Sequence, residues 1–267
     1  MPFCPHCGIE IQTEDTRFCP ACGKNIDSFS TTTIDIPVRK GIFSHLTFSA
    51  ALVRQHPILL LPELIAVIAT YIFSQALGRL TDYFNLGDWF YQWLGLNGSY
   101  LTNVADYSDI PSTFWLLPIA IFLWLILTVG ISGLFTFLTV HMAWKGSKEE
   151  SVDLRASSGY VRSRLGKLFL ASVIANLFAV TIIMLPAAFF MYSVMVVDFV
   201  GIREGLSKGF KVSMDRIGTS IALILVYYVS IFVIGFVPYI GIYLRFLPSV
   251  IVEIAALDLY MNYKLSS

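Results

Sequence analysis

Long apolar stretches with few charges are the feature that most constrains the fold of this chain. Each is at least about 20 residues long, the length at which a helix crosses the hydrocarbon core of a bilayer. Only 13% of all residues are charged, and the mean hydropathy is +0.72, whereas soluble proteins are about a quarter charged. We therefore predict an all-α integral membrane bundle in residues 41–267, with membrane segments at 57–77, 113–144, 168–198, 217–236 and 241–262.

The apolar stretch 168–198 is too long for one simple crossing. As a single helix it would measure about 46 Å, well beyond a bilayer core of about 30 Å. Pro186 lies near its middle, and proline breaks a helix interior. We predict a short hairpin of two arms that turns at Leu185-Pro186, which brings the bundle to about six helices.

Two further segments have specific predictions. The stretch 113–144 also exceeds the bilayer core as a straight helix, so it should tilt, project, or kink near Gly130 and Gly133. Residues 41–55 contain both apolar and polar side chains, interspersed at helical spacing. We predict that they form an amphipathic helix lying on the membrane surface.

The distribution of Lys and Arg predicts the orientation of the bundle. Fourteen of these residues lie in segments 28–56, 145–167, 201–216 and 263–267, and only two lie in segments 78–112 and 237–245. Basic residues concentrate on the cytoplasmic side of a membrane protein. If the hairpin enters and leaves on one side, both termini are cytoplasmic. We expect a multi-pass protein of the cell membrane with this orientation.

A repeated cysteine motif at the start of the chain predicts a metal site. The unit Phe-Cys-Pro-x-Cys-Gly occurs twice, 15 residues apart, and contains all four cysteines in the spacing C-x2-C-x11-C-x2-C. Four thiolates on two tight turns match the tetrahedral coordination that Zn2+ prefers. We predict that residues 1–27 form a zinc ribbon that binds one Zn2+ through Cys4, Cys7, Cys19 and Cys22, followed by a flexible Ser/Thr-rich linker, 28–40.

Disulfides, iron and a redox dithiol are the alternatives to zinc for the four cysteines. Two disulfides would require an oxidising compartment, and we expect a reducing one, because no secretory signal precedes Cys4 and the topology places this end in the cytoplasm. Iron or a redox dithiol remain alternatives with the same spacing. About 25 residues bury too little apolar surface to fold alone, so the metal should supply much of the folding free energy.

The charges of the zinc head argue against nucleic acid as its partner. Residues 1–27 contain two basic and four acidic side chains, whereas a phosphate-binding surface needs a basic footprint. Residues 3–24 resemble the short zinc-ribbon heads at the N-terminus of many archaeal and bacterial membrane proteins. That resemblance implies a prokaryotic protein with a zinc-binding head, and it specifies no function for the head; a cytosolic protein is one partner that the head could have.

Charged residues at membrane depth are the candidates for function in the bundle, because such charges are costly there. They are Glu63, Arg245, Glu253 and Asp258, with Asp198 at a helix end. One interpretation is a polar binding or proton site between the first and last spans, formed by Glu63 and Glu253. The other is structural: a hydrogen bond between helices, with Arg245 reaching the interface.

The sequence contains no recognisable catalytic set. The four histidines are scattered, and no nucleophile-elbow, P-loop or HExxH motif is present. Segments 151–167 and 201–216 resemble surface helices with basic faces, which suits contact with anionic lipid. We therefore expect no enzymatic activity.

Residues 184–225 resemble part of a group of polytopic membrane proteins, some of which are the membrane domain attached to glycerophosphodiester phosphodiesterases. Five positions match the pattern of that group, and two depart from it: Gly205 stands where alanine is usual and Gly209 where serine is usual. The matching positions are Pro186, Asp198, Gly201, Glu204 and Leu206. The resemblance implies an all-helical bundle and no catalytic residues.

These observations leave two functional hypotheses. The first is a non-enzymatic binding or assembly module in the lipid bilayer, whose zinc head binds a cytosolic protein. The second is a small-solute or lipid transporter that uses intramembrane carboxylates.

Overall fold

A computed structural model describes residues 41–83, 116–148, 151–179, 185–237 and 241–266. All regular structure in these ranges is helical. The elements are α1 (Ile42–Gln55), a 3-10 turn (Pro57–Leu60), α2 (Leu61–Tyr83), α3 (Leu116–Gly146), α4 (Leu154–Ser163), α5 (Leu165–Ala179), α6 (Leu185–Val197), α7 (Ile202–Asp215), α8 (Ile217–Gly235), α9 (Gly241–Leu244) and α10 (Phe246–Ser266). The predicted zinc ribbon and linker lie outside the described residues.

Within the described ranges, four helices are long and apolar enough to cross a membrane: Pro57–Arg79, Ile121–Gly146, Ile217–Gly235 and Phe246–Ser266. They confirm the predicted helical spans on either side of the hairpin, and the chain is a helical membrane protein. Within the apolar stretch of α10, 67% is buried inside the protein, whereas only 11% of the apolar stretch of α8 is buried. α10 is therefore the central helix of the bundle. The apolar side chains that α8 leaves exposed suit contact with lipid.

The stretch 168–198 contains two helices, α5 and α6, as the hairpin prediction requires. The side-chain amide of Asn176 in α5 donates to the Tyr192 hydroxyl of α6 at 3.4 Å. The predicted place of the turn was wrong: Leu185 and Pro186 begin α6, and the connection between the arms precedes them. Proline suits the first turn of a helix, because the N–H groups there have no partner within the helix.

Glycines in α3 and α7 permit close helix packing. A Cβ at Gly130 would overlap the Phe169 ring of α5, and one at Gly133 would overlap Ser172. α3 is a single helix through both positions, so these glycines accommodate a neighbour. In α7, a Cβ at Gly209 would lie 2.7 Å from the Ala187 carbonyl oxygen of α6. Small residues let membrane helices approach closely, and here they hold α3, α5, α6 and α7 together.

Candidate functional site

A cavity of about 200 Å³ lies inside the bundle. All six apolar helices, α2, α3, α5, α6, α8 and α10, contribute to its wall. Its polar wall residues are carboxylates, hydroxyls and one amide: Glu63, Ser132, Thr136, Asn176, Tyr192, Ser193, Tyr227, Tyr228, Ser249 and Glu253. Such a polar wall is unusual among apolar membrane helices, and it makes this cavity the candidate site.

Two carboxylates from different spans meet in this cavity. The Thr136 hydroxyl of α3 lies 3.0 Å from Oε1 of Glu63 in α2 and 3.4 Å from Oε1 of Glu253 in α10. Ser249, one helical turn before Glu253, donates a hydrogen bond of 2.8 Å to the same Oε1. The structure therefore brings together the two carboxylates that the sequence singled out, with Thr136 between them.

Hydrogen bonding within this group is incomplete. A threonine hydroxyl has one hydrogen, so Thr136 can donate to Glu63 or to Glu253 but not to both at once. Oε2 of Glu253 is buried and has no hydrogen-bond partner among the described residues. Ser193, which is 1% exposed, also lines the cavity with an unpartnered hydroxyl. Buried polar groups are nearly always paired, so these atoms indicate room for a ligand.

The charge of the two carboxylates is not balanced by the cavity wall. Among the described residues that line the cavity, none is Lys, Arg or His. Glu63 is 5% exposed, and a buried charge without a partner is strongly unfavourable. A cation or a proton bound between Glu63 and Glu253 would supply the missing positive charge.

Aromatic rings also form part of the cavity wall. The Phe189 ring of α6 packs edge-on against Tyr227 of α8 at 5.6 Å between centroids, and Tyr227 packs against Tyr228 at 5.3 Å. Tyr227, Ser249 and Glu253 all line the cavity, so the rings and the carboxylate group border the same space. The i,i+4 spacing of Ser249 and Glu253 was a usable sequence signal, but nothing in the sequence singled out Thr136, Ser193 or these rings.

Asp258 and Arg245, the other intramembrane candidates, lie elsewhere. Asp258 is fully buried, and its Oδ2 atom lies 2.7 Å from Nδ1 of His45, a buried residue of α1. This pair fastens the amphipathic helix to the central helix α10. Arg245 is exposed in the turn between α9 and α10, and its position at the membrane interface stays a prediction.

His141 is also a packing residue. Its Nδ1 atom lies 3.0 Å from the Ser157 hydroxyl of α4, and its ring stacks on Tyr160 at 4.2 Å. Ser157 is fully buried and His141 is 3% exposed. The contact joins α3 to α4 rather than facing a substrate.

Asp198 lies between α6 and α7 in a dense network of donors. Lys208 and Lys264 each approach its carboxylate at 2.8 Å, and the Tyr260 hydroxyl donates at 2.7 Å. Burial by itself raises the pKa of Asp198, but the hydrogen bonds from these three side chains outweigh burial and hold that pKa below its ordinary value. The same contact with Asp198 raises the pKa of Lys208.

Comparison with known proteins identifies the head of the chain. Residues 3–26 match the zinc-ribbon domain family. No curated protein and no solved structure matches the chain, so the resemblance of residues 184–225 to phosphodiesterase-associated membrane domains has no support from these comparisons. The protein is thus a helical membrane protein with an N-terminal zinc-ribbon domain.

The predicted zinc ligands lie in the matched segment and outside the described residues. Their donor set is four cysteine thiolates in two Cys-x-x-Cys pairs, which fits the closed tetrahedral site of a structural zinc. Cys4, Cys7, Cys19 and Cys22 would hold the metal, which would organise the fold of the head.

Proposed function

We propose that this protein binds a cation, or a small solute that carries a positive charge, inside its helix bundle, as a membrane transporter does. The observation that carries the proposal is the meeting of Glu63 and Glu253 at Thr136, in a cavity whose described wall offers no basic residue. The role is non-enzymatic: Glu63 and Glu253 bind the positive charge, and Thr136 holds the two carboxylates in place.

The alternative structural role for the two carboxylates explains less of the geometry. A carboxylate that only joins two helices would satisfy both of its oxygens with hydrogen-bond donors from the protein. Glu253 instead leaves Oε2 unpartnered beside the cavity. Intramembrane carboxylates that face a polar cavity are typical of ion and substrate pathways.

Cation-dependent stabilisation tests this proposal. We expect the purified wild-type protein to be stabilised against thermal unfolding by at least one cation from a panel of Na+, K+, Mg2+ and organic ammonium ions, or by protons. A ligand at a hundred times its Kd stabilises by about 2.7 kcal/mol. Glu253→Gln should remove this response, whereas Asp215→Asn, at the end of α7 outside the cavity, should retain it.

Two results would contradict the proposal. One is a cation response of Glu253→Gln equal to that of the wild type. The other is a wild-type protein that no cation stabilises and whose stability follows pH in the same way as that of Glu253→Gln.

A second proposal concerns the zinc-ribbon head, which we propose is a cytosolic docking module for a protein partner. The family match over residues 3–26 and the excess of acidic residues in the head support it. Cys7→Ser should reduce bound zinc from one ion per chain and unfold the head, while the membrane part still inserts. Elemental analysis and affinity purification from native membranes measure the two consequences, and a zinc-free wild type with unchanged partners would contradict the proposal.

A further inference from the structure

We propose that the cation bound in the cavity is a small organic ammonium ion. This inference rests on the proposed function and adds the chemical class of the ligand. It depends on three properties of the same cavity: its size, its aromatic wall, and the arrangement of its unpartnered oxygens.

The size of the cavity suits an organic molecule. Its volume is about 200 Å³, whereas one water molecule needs only about 10–15 Å³ of such space, and an apolar cavity of about 150 Å³ binds benzene. A bare metal ion would leave most of the cavity for water. The cavity has room for a compact ammonium ion such as choline.

The side chains of the wall are poorly suited to a transition metal. Among the described residues, no group of three or more His, Cys, Asp or Glu side chains could hold a metal ion. The oxygens present are two carboxylates and several hydroxyls. Mg2+ requires near-ideal octahedral coordination at short distances, and the ring carbons of the aromatic residues in the wall supply no ligands for it.

The aromatic wall suits an alkylated ammonium group. Phe189, Tyr227 and Tyr228 pack edge-on in sequence along the side formed by α6 and α8. Aromatic faces attract ammonium groups through cation–π interactions, most strongly where water is excluded. The carboxylates and the rings of one cavity would contact both the charge and the methyl groups of such a ligand.

The unpartnered oxygens supply the remaining contacts. Oε2 of Glu253 and the Ser193 hydroxyl are both buried, and both residues line the cavity. Glu253 Oε2 would accept the positive charge of the ligand. The Ser193 hydroxyl would hydrogen bond to a polar substituent of the ligand, such as the hydroxyl group of an amino alcohol.

Choline and its uncharged isostere 3,3-dimethylbutan-1-ol test the inference, with titration calorimetry on the full-length protein in lipid nanodiscs. We expect choline to bind at least about tenfold more tightly than the isostere, because only choline carries the charge that carboxylates and aromatic faces attract. Glu253→Gln should abolish the difference. Phe189→Leu should weaken choline binding about tenfold, because it removes an aromatic face.

A matched control separates loss of the ring from loss of stability. Phe232→Leu makes the same substitution at an exposed ring of α8 outside the cavity, and it should leave choline binding unchanged. Thermal unfolding of each variant verifies that the protein is folded.

The outcomes distinguish this inference from the proposed function. Equal binding of choline and its isostere, or equal effects of Phe189→Leu and Phe232→Leu, would overturn the ammonium assignment. Stabilisation by Na+, K+ or protons without any response to choline would also overturn it, while the cation-binding function would stand. A protein that responds to none of these cations would overturn both.

Discussion

The central cavity and the junction of α6, α7 and α10 each contain carboxylate groups that are largely shielded from solvent, but the two regions differ in how completely the protein pairs these groups. At the junction, Asp198 receives two lysine ammonium groups and a tyrosine hydroxyl. In the cavity, Glu63 and Glu253 share one threonine hydrogen, and an oxygen of Glu253 has no partner. A fully paired carboxylate stabilises the fold, whereas an incompletely paired one is available to a ligand.

The buried pair of His45 and Asp258 belongs with the junction in this comparison. Both side chains are almost fully excluded from solvent, and the amide of Asn262 adds a donor 3.3 Å from Asp258 Oδ1. The contact attaches α1 to the most buried helix of the bundle. Its contribution should therefore be to stability, with little effect on a ligand in the cavity.

The largest expected effect follows from breaking that buried pair. His45→Leu removes the Nδ1 contact of the buried Asp258 carboxylate, and loss of a hydrogen-bond donor to a buried charged group costs a protein about 3 kcal/mol. Denaturant unfolding in detergent measures the loss. The double variant His45→Leu/Asp258→Leu should recover much of it, because no charge is then left buried. Equal stability of the single variant and the wild type would place Asp258 with the cavity carboxylates.

A smaller loss is expected at the junction. Asp198→Asn removes charged hydrogen bonds from Lys208 and Lys264, and such bonds contribute about 1.5–3 kcal/mol each when they are buried. The total should lie near the lower value, because the two lysine side chains are 42% and 56% exposed and regain hydration. Thermal unfolding at neutral pH measures it, and cation binding in the cavity should be unchanged.

Acidification provides the control for the Asp198 prediction. The folded-state pKa of Asp198 is lowered, so its stabilisation is complete above its unfolded pKa of about 3.9. That contribution is lost as pH falls through the lower, folded pKa. The difference in stability between the wild type and Asp198→Asn should therefore shrink in acid. A difference that stays constant across this range would argue against the ion pairs as its source.

The smallest effect on stability is expected in the cavity. Glu253→Gln should change the free energy of unfolding of the ligand-free protein by less than about 1 kcal/mol, or raise it, because no protein cation loses its partner. The same variant should lose cation binding, which reverses the pattern expected for Asp198→Asn. A loss as large as that of His45→Leu would show that Glu253 is a structural residue and would remove the contrast between the two regions.

Periodic and local signals in the sequence were enough to predict several parts of this fold. Long apolar runs predicted helices of membrane length, and the length of 168–198 predicted its division into two arms. The break was placed too late because proline is compatible both with a turn and with the first turn of a helix. Gly130 and Gly133 suggested a kink when α3 was considered without its neighbours. The structure shows that both glycines make room for side chains of α5.

The amino-acid sequence by itself determined the helical membrane class, the zinc-ribbon head and the identity of the charged residues within the spans, because these depend on composition, length and local spacing. Tertiary structure alone decided which of those charges are paired. Glu253 faces Glu63 across Thr136, whereas Asp258 faces His45 more than 200 residues away along the chain. Such pairings depend on how the helices rotate and pack against one another, and no local pattern along a single helix encodes that arrangement.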